Sequence, residues 1–311
     1  MFLSDTVLSH VEHVTEAPDL AGTRYELVGL IGRGGMGSVW HAKDLELDRD
    51  VAVKVSAHEL TKEAKVIAQL EHPGIVPVHD SGRLPDGRVY YVMKLVRGER
   101  LDLWARAHDV RSRLKLFQRV CEAVAFAHAR HVLHRDLKPE NVMVGEFGEA
   151  LVMDWGLARR PADAAEPPGT VLGTPAYMAP EAARGEAVTQ ASDVYGLGAL
   201  LYALVSGRPP YDGASAKDVL AKVASADAPR GLDGPPPVAA ICAKAMSKVP
   251  AARYANAQEL SDDVGRFLDQ EPVLAYDEPL FEKLARFASR NAVVLSLLGA
   301  YLVLRLVLLL F

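Results

Sequence analysis

Cysteine is scarce in this 311-residue chain, with only Cys121 and Cys242. They form no CxxC or CxxH pattern, so they read as buried, reduced thiols of a cytosolic domain and imply no metal. A basic patch interleaved with aromatics is also missing, and the formal net charge is −5. Together these argue against a general nucleic-acid binder. No internal repeat and no low-complexity tract occurs. The opening "MFLSDTVLSHVEHVTEAPDL" has neither a basic start nor an apolar centre, so it is not a signal peptide. Long uncharged apolar runs are absent until the C-terminus.

Half of the residues are hydrophobic, with glycine and proline scattered among them. The length suits about two domains with an ordinary globular core. The last stretch, "AVVLSLLGAYLVLRLVLLLF" from Ala292 to Phe311, is apolar except for Ser296 and Arg305. Twenty helical residues rise about 30 Å, enough to cross a hydrocarbon layer. Lys283, Arg286 and Arg290 precede it. The positive-inside rule then keeps the N-terminal part in the cytoplasm. Arg305 is near the far end, where a long side chain can snorkel to head groups. A buried amphipathic helix is the alternative, but the segment is apolar all round. The expectation is a single-pass anchor in the cell (inner) membrane, with the bilayer as partner and no outside sensor domain.

Residues 25–56 alternate in short β-branched runs, "YELVGLIG", "SVWHAKD" and "VAVKVS", separated by turn residues. These predict antiparallel strands. "SAHELTKEAKVIAQL" predicts a helix, and "IVPVHDSGRL" and "RVYYVMKLV" two further strands. After Gly98 the periodicity becomes helical, over 101–108, 111–131, 190–206, 214–226, 236–247 and 256–269. The expected architecture is α+β and bilobal. It runs from an N-terminal extension, 1–24, to a β-rich N-lobe, 25–96, and a larger helical C-lobe, 97–269. A linker, 270–291, and a transmembrane helix, 292–311, follow.

"IGRGGMGSVW" places Gly32, Gly34 and Gly37 in a GxGxxG spacing. The dinucleotide-binding version needs a helix after the glycines, and a strand-like segment follows here instead. A glycine hairpin that lets backbone N–H groups approach phosphates fits, and a plain hairpin turn fits equally. "VAVK" puts Lys54 at the end of an apolar strand, where a buried ammonium needs an anionic partner. Ser56 with Glu59 makes a capping box for the next helix. Glu63 then falls on an apolar stripe with Leu60, Ala64 and Ile67, and a carboxylate there is rarely unpaired. Lys54 is its natural partner. A surface charge paired with nearby lysines is the alternative.

"HVLHRDLKPENVMV", residues 131–144, crowds charge between two apolar ends. Pro139 disfavours a helix through it. Asp154 follows at a strand end in "LVMDWGLA". Two carboxylates and an amide oxygen, Asp136, Asp154 and Asn141, are hard ligands of the kind Mg²⁺ prefers when phosphates complete its shell. With a glycine cover and a cationic clamp, this set suits phosphoryl transfer.

In order along the chain, "GRGGMGSV", "VAVK", Glu63, "HRDLKPEN", "DWG", "GTPAYMAPE" and "SDVYGLG" resemble the signature set of protein kinases. The resemblance is to the bacterial, eukaryotic-like (Hanks-type) serine/threonine class, and it spans residues 25 to about 269. It implies an ATP-dependent enzyme using Mg²⁺ or Mn²⁺ and acting on protein serine and threonine hydroxyls. By resemblance, Lys54 holds the α- and β-phosphates, steadied by Glu63. Asp136 accepts or orients the proton of the attacking hydroxyl, Lys138 neutralises the γ-phosphate, and Asn141 and Asp154 bind the metal. The nucleotide would lie against Ile31, Gly32, Arg33, Gly34, Gly35, Met36, Gly37, Ser38, Val39 and Ala52. Met93 would be the gatekeeper, with the hinge over Lys94 to Val96. Thr174 would shape a peptide platform, Glu181 would brace it by pairing with Arg253, and Asp193 would tie the catalytic loop to the helical lobe.

The chain departs from the usual pattern in places. "DWG" carries Trp155 where phenylalanine is commoner. Only nine positions separate Lys54 from Glu63, fewer than is usual, and "KVPAARY" lacks an Asp before Pro250. Between Gly156 and Pro180 the hydroxyl residues are Thr170, Thr174 and Tyr177. Thr170 is the expected autophosphorylation site, because a new dianion could pair with Arg135 and order the loop. A homodimer through the single span would allow phosphorylation in trans. A scaffold that binds without transfer, and a small-molecule phosphotransferase, are the competing readings. The intact Lys54, Asp136, Asn141 and Asp154 weigh against the first, and "GTPAYMAPE" against the second.

Overall fold

The computed structural model describes residues 17–34, 37–56, 60–160, 167, 169–225 and 229–310. The N-lobe begins with β1 (Tyr25–Gly34), β2 (Gly37–Asp44) and β3 (Arg49–Ser56). Helix α1 (Leu60–Ile67), β4 (Val78–Arg83) and β5 (Val89–Lys94) follow. The five strands form an antiparallel sheet in the order β1-β2-β3-β5-β4. Side chains alternate across a strand, so each strand serves two faces. Val51, Val53 and Val55 join Trp40, Tyr90 and Val92 on the outer face, where Leu20 and Tyr25 cover them. Ala52, Tyr91 and Met93 lie on the inner face with Ala64, Val66 and Ile67 of α1. Gly37 has φ 127°, and a Cβ there would sit 2.3 Å from the Val55 carbonyl oxygen, so only glycine closes this turn. Gly35, Met36 and the Glu59 of the expected capping box lie outside the described residues.

Residues 95–97 lead to β6 (Gly98–Arg100), α2 (Leu101–Trp104) and the long α3 (Val110–Ala129). Asp109 caps α3 by accepting the Ser112 N–H. β7 (Val142–Gly145) and β8 (Ala150–Val152) pair with β6 in a three-stranded sheet of order β6-β7-β8, a layer the helical periodicity does not announce. Then come α4 (Pro180–Ala183), α5 (Gln190–Ser206), α6 (Ala216–Ala224), α7 (Pro236–Ala245) and α8 (Ala257–Leu268). α5 starts at a Thr189/Ser192 capping box and ends at Gly207 in the left-handed region. From Asp193 to Tyr202 it is buried on every side, which makes it the axis of the C-lobe core.

The segment expected to be a linker contains a helix, α9 (Leu280–Arg290), followed by α10 (Ala292–Leu310). Asp263 of α8, fully buried, holds the approach to α9. It accepts the N–H of Leu274 at 2.6 Å and of Ala275 at 3.1 Å, and the Tyr254 hydroxyl at 2.7 Å. Among the described residues no helix is long and apolar enough to cross a membrane. The expected span is helical over Ala292–Leu310. Phe311, and the side chains at 303 and 306–310 that contribute to its hydropathy, lie outside the described residues.

Candidate active site

The cleft between the lobes encloses a cavity of about 580 Å³. That lies in the range of small-ligand sites. Its N-lobe wall is Gly32, Arg33, Gly34, Gly37 and Val39, with Lys54, Tyr91 and Met93 behind. The C-lobe wall is Asp136, Lys138, Asn141, Met143, Asp154 and Thr174. Among the described residues, a Cβ at Gly32 or Gly34 would meet no atom within 4 Å. None of those residues therefore demands glycine there, whereas a phosphate drawn up to the backbone would.

Lys54 donates to both oxygens of Glu63, at 2.9 and 3.1 Å, and to Asp154 Oδ1 at 2.9 Å. Both partners of the first pair are buried. Residues 57–59 are all that separates β3 from α1, and the pair still forms across them. Burial works against the Lys54 charge, but Glu63 and Asp154 outweigh it and raise its pKa. Glu63, 4% exposed, is thus not the surface charge paired with nearby lysines that was the alternative.

The loop 134–141 is built around two carboxylates. Asp193, buried in α5, accepts the N–H groups of His134 and Arg135 at 2.8 and 2.9 Å and a contact from His128 Nε2 at 2.8 Å. This helps hold Arg135 at φ 71°, in the left-handed region that non-glycine residues rarely enter. Asp136, 8% exposed, is saturated with donors. Oδ1 accepts the Thr174 N–H and hydroxyl, at 2.9 and 2.7 Å. Oδ2 accepts Lys138 Nζ at 2.7 Å and Asn141 Nδ2 at 3.0 Å. Burial would push its pKa up, but the Lys138 and Thr174 hydrogen bonds win and hold it below the usual carboxylate range. Lys138 Nζ also reaches the Thr174 hydroxyl, at 2.7 Å. Gly173, at φ 112°, lets that strand of the loop approach, since a Cβ would come 2.9 Å from the Arg135 carbonyl.

Asn141 also donates to the Asp136 carbonyl, at 2.8 Å. Its amide hydrogens are thus spent, which leaves its oxygen for a cation. Asp154 stands at φ 58°, with its side chain 35% exposed into the cleft. Among the described residues no three His, Cys, Asp or Glu side chains cluster to hold a metal alone. An Asn–Asp pair beside a phosphate-sized cavity instead suits Mg²⁺, which takes few protein ligands and completes its shell from phosphates. Trp155 is accommodated as an apolar plug with a satisfied polar edge. It is 1% exposed, donates Nε1 to the Val152 carbonyl at 3.3 Å, and packs on His134 at 4.6 Å.

Not every expected nucleotide contact lines the cavity. Ile31 is half exposed. Ser38 is buried and accepts the Trp40 indole N–H at 2.8 Å. Ala52 packs in the core. Lys94 faces Glu149 at 3.5 Å, and Val96 is half-buried outside the lining. Arg100, Glu140, Met143, Met153, Leu157 and Gly173 line it without having been singled out in the sequence. Glu181 and Arg253 form a two-pronged pair at 2.7 and 2.8 Å. A second cavity, of about 330 Å³, is lined by Arg135, Thr170, Thr174 and Asp193. Arg159 joins them, brought there by an isolated bridge to Leu133.

Residues 25–264 match the protein kinase domain family. Similar proteins include the serine/threonine-protein kinase PknB of Mycolicibacterium smegmatis, 38% identical over 80% of this chain and 44% of its own. PrkC of Bacillus subtilis is 33% identical over 80% and 41%. PknD of Chlamydia felis is 34% identical over 80% and 31%. The chain thus spans less than half the length of these relatives.

Proposed function

Because the chain belongs to the protein kinase family, in its bacterial serine/threonine (Hanks-type) class, we propose that it moves the γ-phosphoryl group of ATP onto serine or threonine hydroxyls of proteins. One observation carries this reading. The Lys54–Glu63–Asp154 cluster and the Asp136–Lys138–Thr174 cluster face one cavity. In the reaction, the attacking hydroxyl gives its proton to Asp136 as its oxygen bonds to the γ-phosphorus. The bond from that phosphorus to the β-bridging oxygen breaks, and ADP leaves. Lys54 holds the α- and β-phosphates, and Lys138 offsets charge on the γ-phosphate. Asn141 and Asp154 would hold Mg²⁺ or Mn²⁺, which supplies further neutralisation of phosphate oxygens. The work is positioning and charge stabilisation. The scaffold reading drew its support from the short Lys54–Glu63 connection, and the 2.9 Å contact removes that support.

Regulation is proposed to run through Thr170. Arg135, Arg159 and Thr170 line one cavity, so a phosphate on Thr170 would have two arginines beside it to pair with. Incubation of the chain with labelled ATP and Mg²⁺ should label the protein itself or a generic basic protein, with the label on Thr170 by mass spectrometry. Active protein carrying an unmodified Thr170 would sink the regulatory part. ATP binding without any transfer would sink the enzymatic part. A homodimer that phosphorylates in trans is the assembly this regulation favours.

Membrane attachment is proposed through the two last helices, in the cell (inner) membrane with the kinase domain cytoplasmic. On α9, Leu280, Phe281, Leu284 and Phe287 are 59–78% exposed, and on α10 Val293, Val294 and Leu297 are 64–74% exposed. A contiguous apolar surface of this kind normally marks an interaction site, and Lys283, Arg286 and Arg290 accompany it. Cell fractionation should find the full chain with membranes and a chain ending at 279, which lacks both helices, in the soluble fraction. A full chain that stays soluble would refute the attachment.

A further inference from the structure

Tyr91 has no part in the kinase signature set, yet it sits behind the cleft with its hydroxyl engaged. Adjacent tyrosines on β5 serve opposite faces. Tyr90 joins the outer cluster and Tyr91 the inner one. Across the ladder the Cα partner of Tyr91 is Lys54, so the two side chains rise from the same face of neighbouring strands. The Tyr91 side chain is 1% exposed. Its hydroxyl donates to Glu63 Oε1 at 2.9 Å, the same oxygen that takes Lys54 Nζ at 2.9 Å. Lys54 Nζ lies 5.9 Å from the centre of the Tyr91 ring. Burial, and then the Glu63 carboxylate, push the phenol pKa well above its ordinary value, so it remains a donor throughout the physiological range.

We propose that Tyr91 is a positioning residue: it pins Glu63, and with it α1, to the sheet independently of Lys54. Two features make a second anchor necessary. α1 has eight residues, below the length at which a helix holds itself. Lys54 is already divided between Glu63 and Asp154, and in the proposed transfer reaction, on which this inference rests, it must also face phosphates. Each turn of Lys54 toward a ligand would leave a buried carboxylate short of a partner, at high cost. Tyr91 belongs to neither the helix nor the ligand. Its hydrogen bond persists while Lys54 moves, so Glu63 and α1 stay in place for the lysine to return to. A phenylalanine would fill the same space without this hold.

The test uses the full chain with Tyr91→Phe, Glu63→Met and the double variant. Hydrogen exchange of the amides of residues 60–67, without nucleotide, is read beside kcat and KM for ATP. A lost hydrogen bond to a carboxylate corresponds to roughly tenfold in a local opening equilibrium. Tyr91→Phe should therefore speed exchange of 60–67 about tenfold with the β3 and β5 amides unchanged. It should lower kcat about five- to twentyfold with KM for ATP within about twofold. Added to Glu63→Met it should neither speed exchange nor lower kcat further. Unaltered exchange at 60–67 would overturn the proposal, as would a Tyr91→Phe effect that survives in the Glu63→Met background. A wild type that transfers no phosphate would defeat the kinase reading and leave the exchange measurement to decide Tyr91 by itself.

Discussion

Asp136→Asn lowers phosphoryl transfer by about 10²–10⁴-fold, the usual worth of a positioned general base, and leaves ATP binding within a few-fold. The four donors on Asp136 explain both halves of this outcome. Thr174 and Lys138 donate to the two oxygens; an asparagine fills the same volume but keeps one accepting oxygen in place of two, and it cannot take the proton. In the proposed reaction the nucleotide rests on Lys54 and the glycine turn, which the substitution does not touch. Initial rates with labelled ATP and a nucleotide titration on the same preparation separate the two effects. A variant retaining more than a tenth of wild-type turnover would remove Asp136 from the proton-accepting role. The pH profile gives a second check. The folded pKa of Asp136 lies below the ordinary value, so the carboxylate is charged above that point and becomes protonated only as pH falls through it. The acid limb of kcat/KM due to this group should therefore lie below about pH 3.9, the unperturbed aspartate value. A limb at or above that value belongs to another residue.

Arg253→Ala is the substitution with the largest expected cost in stability. The guanidinium is fully buried. It serves Glu181 with two nitrogens, the Ala191 carbonyl at 2.7 Å and the Ser247 carbonyl at 2.8 Å, and lies 5.0 Å over the Tyr195 ring. Its removal strands the Glu181 carboxylate with Ser192 as its remaining side-chain donor. Breaking one side of a buried pair costs about 3–5 kcal/mol, which at this chain length lowers the melting temperature by roughly 5–10 °C. Glu181→Gln together with Arg253→Met should recover part of it, since no lone charge is then buried. A melting temperature within about 2 °C of wild type for Arg253→Ala would contradict the account. Burial raises the Glu181 pKa, but Arg253 and Ser192 overcome this and depress it. The pair's contribution is accordingly full above the unfolded glutamate value of about 4.3. It disappears as pH falls through the lower folded value, and the gap between wild type and Arg253→Ala should narrow over that acid window.

Much of this was legible in the sequence, because strand and helix periods are written locally. The apolar alternation of "VAVK" and the helical stripe holding Glu63 place a lysine and a carboxylate on facing elements, and the 2.9 Å contact follows. Asp193 was legible through the kinase resemblance alone, and its burial in α5 and the N–H donors of His134 and Arg135 are seen in the structure. Tyr91 was not legible. In "RVYYVMKLV" it reads as one more strand aromatic, and only the register that sets it beside Lys54 reveals its partner. Arg159 reaches the Thr170 cavity through a bridge to Leu133, twenty-six positions earlier, which no local pattern encodes. β6, β7 and β8 are three or four residues long, too short to show a period. The orientation of the expected hinge, Lys94 to Val96, was not legible for a related reason. Alternation states that neighbouring residues face opposite ways but not which way, and of Met93, Lys94 and Val96 only Met93 lines the cavity.

The contact between Lys54 and Asp154 has a consequence for selectivity. Each lobe contributes one charge, and the two meet at 2.9 Å, so the protein supplies its own counter-ions. A lone anion that captured Lys54 would deprive Asp154 of its cation, and a lone cation on Asp154 would displace the Lys54 ammonium from that carboxylate and leave it with Glu63 alone. Either visitor trades one ion pair for another and gains little. A ligand that arrives with an anion and a cation already joined can satisfy both partners in one exchange. The cleft thereby favours a metal–nucleotide unit over free phosphate or free metal ion, without any residue set aside to reject them.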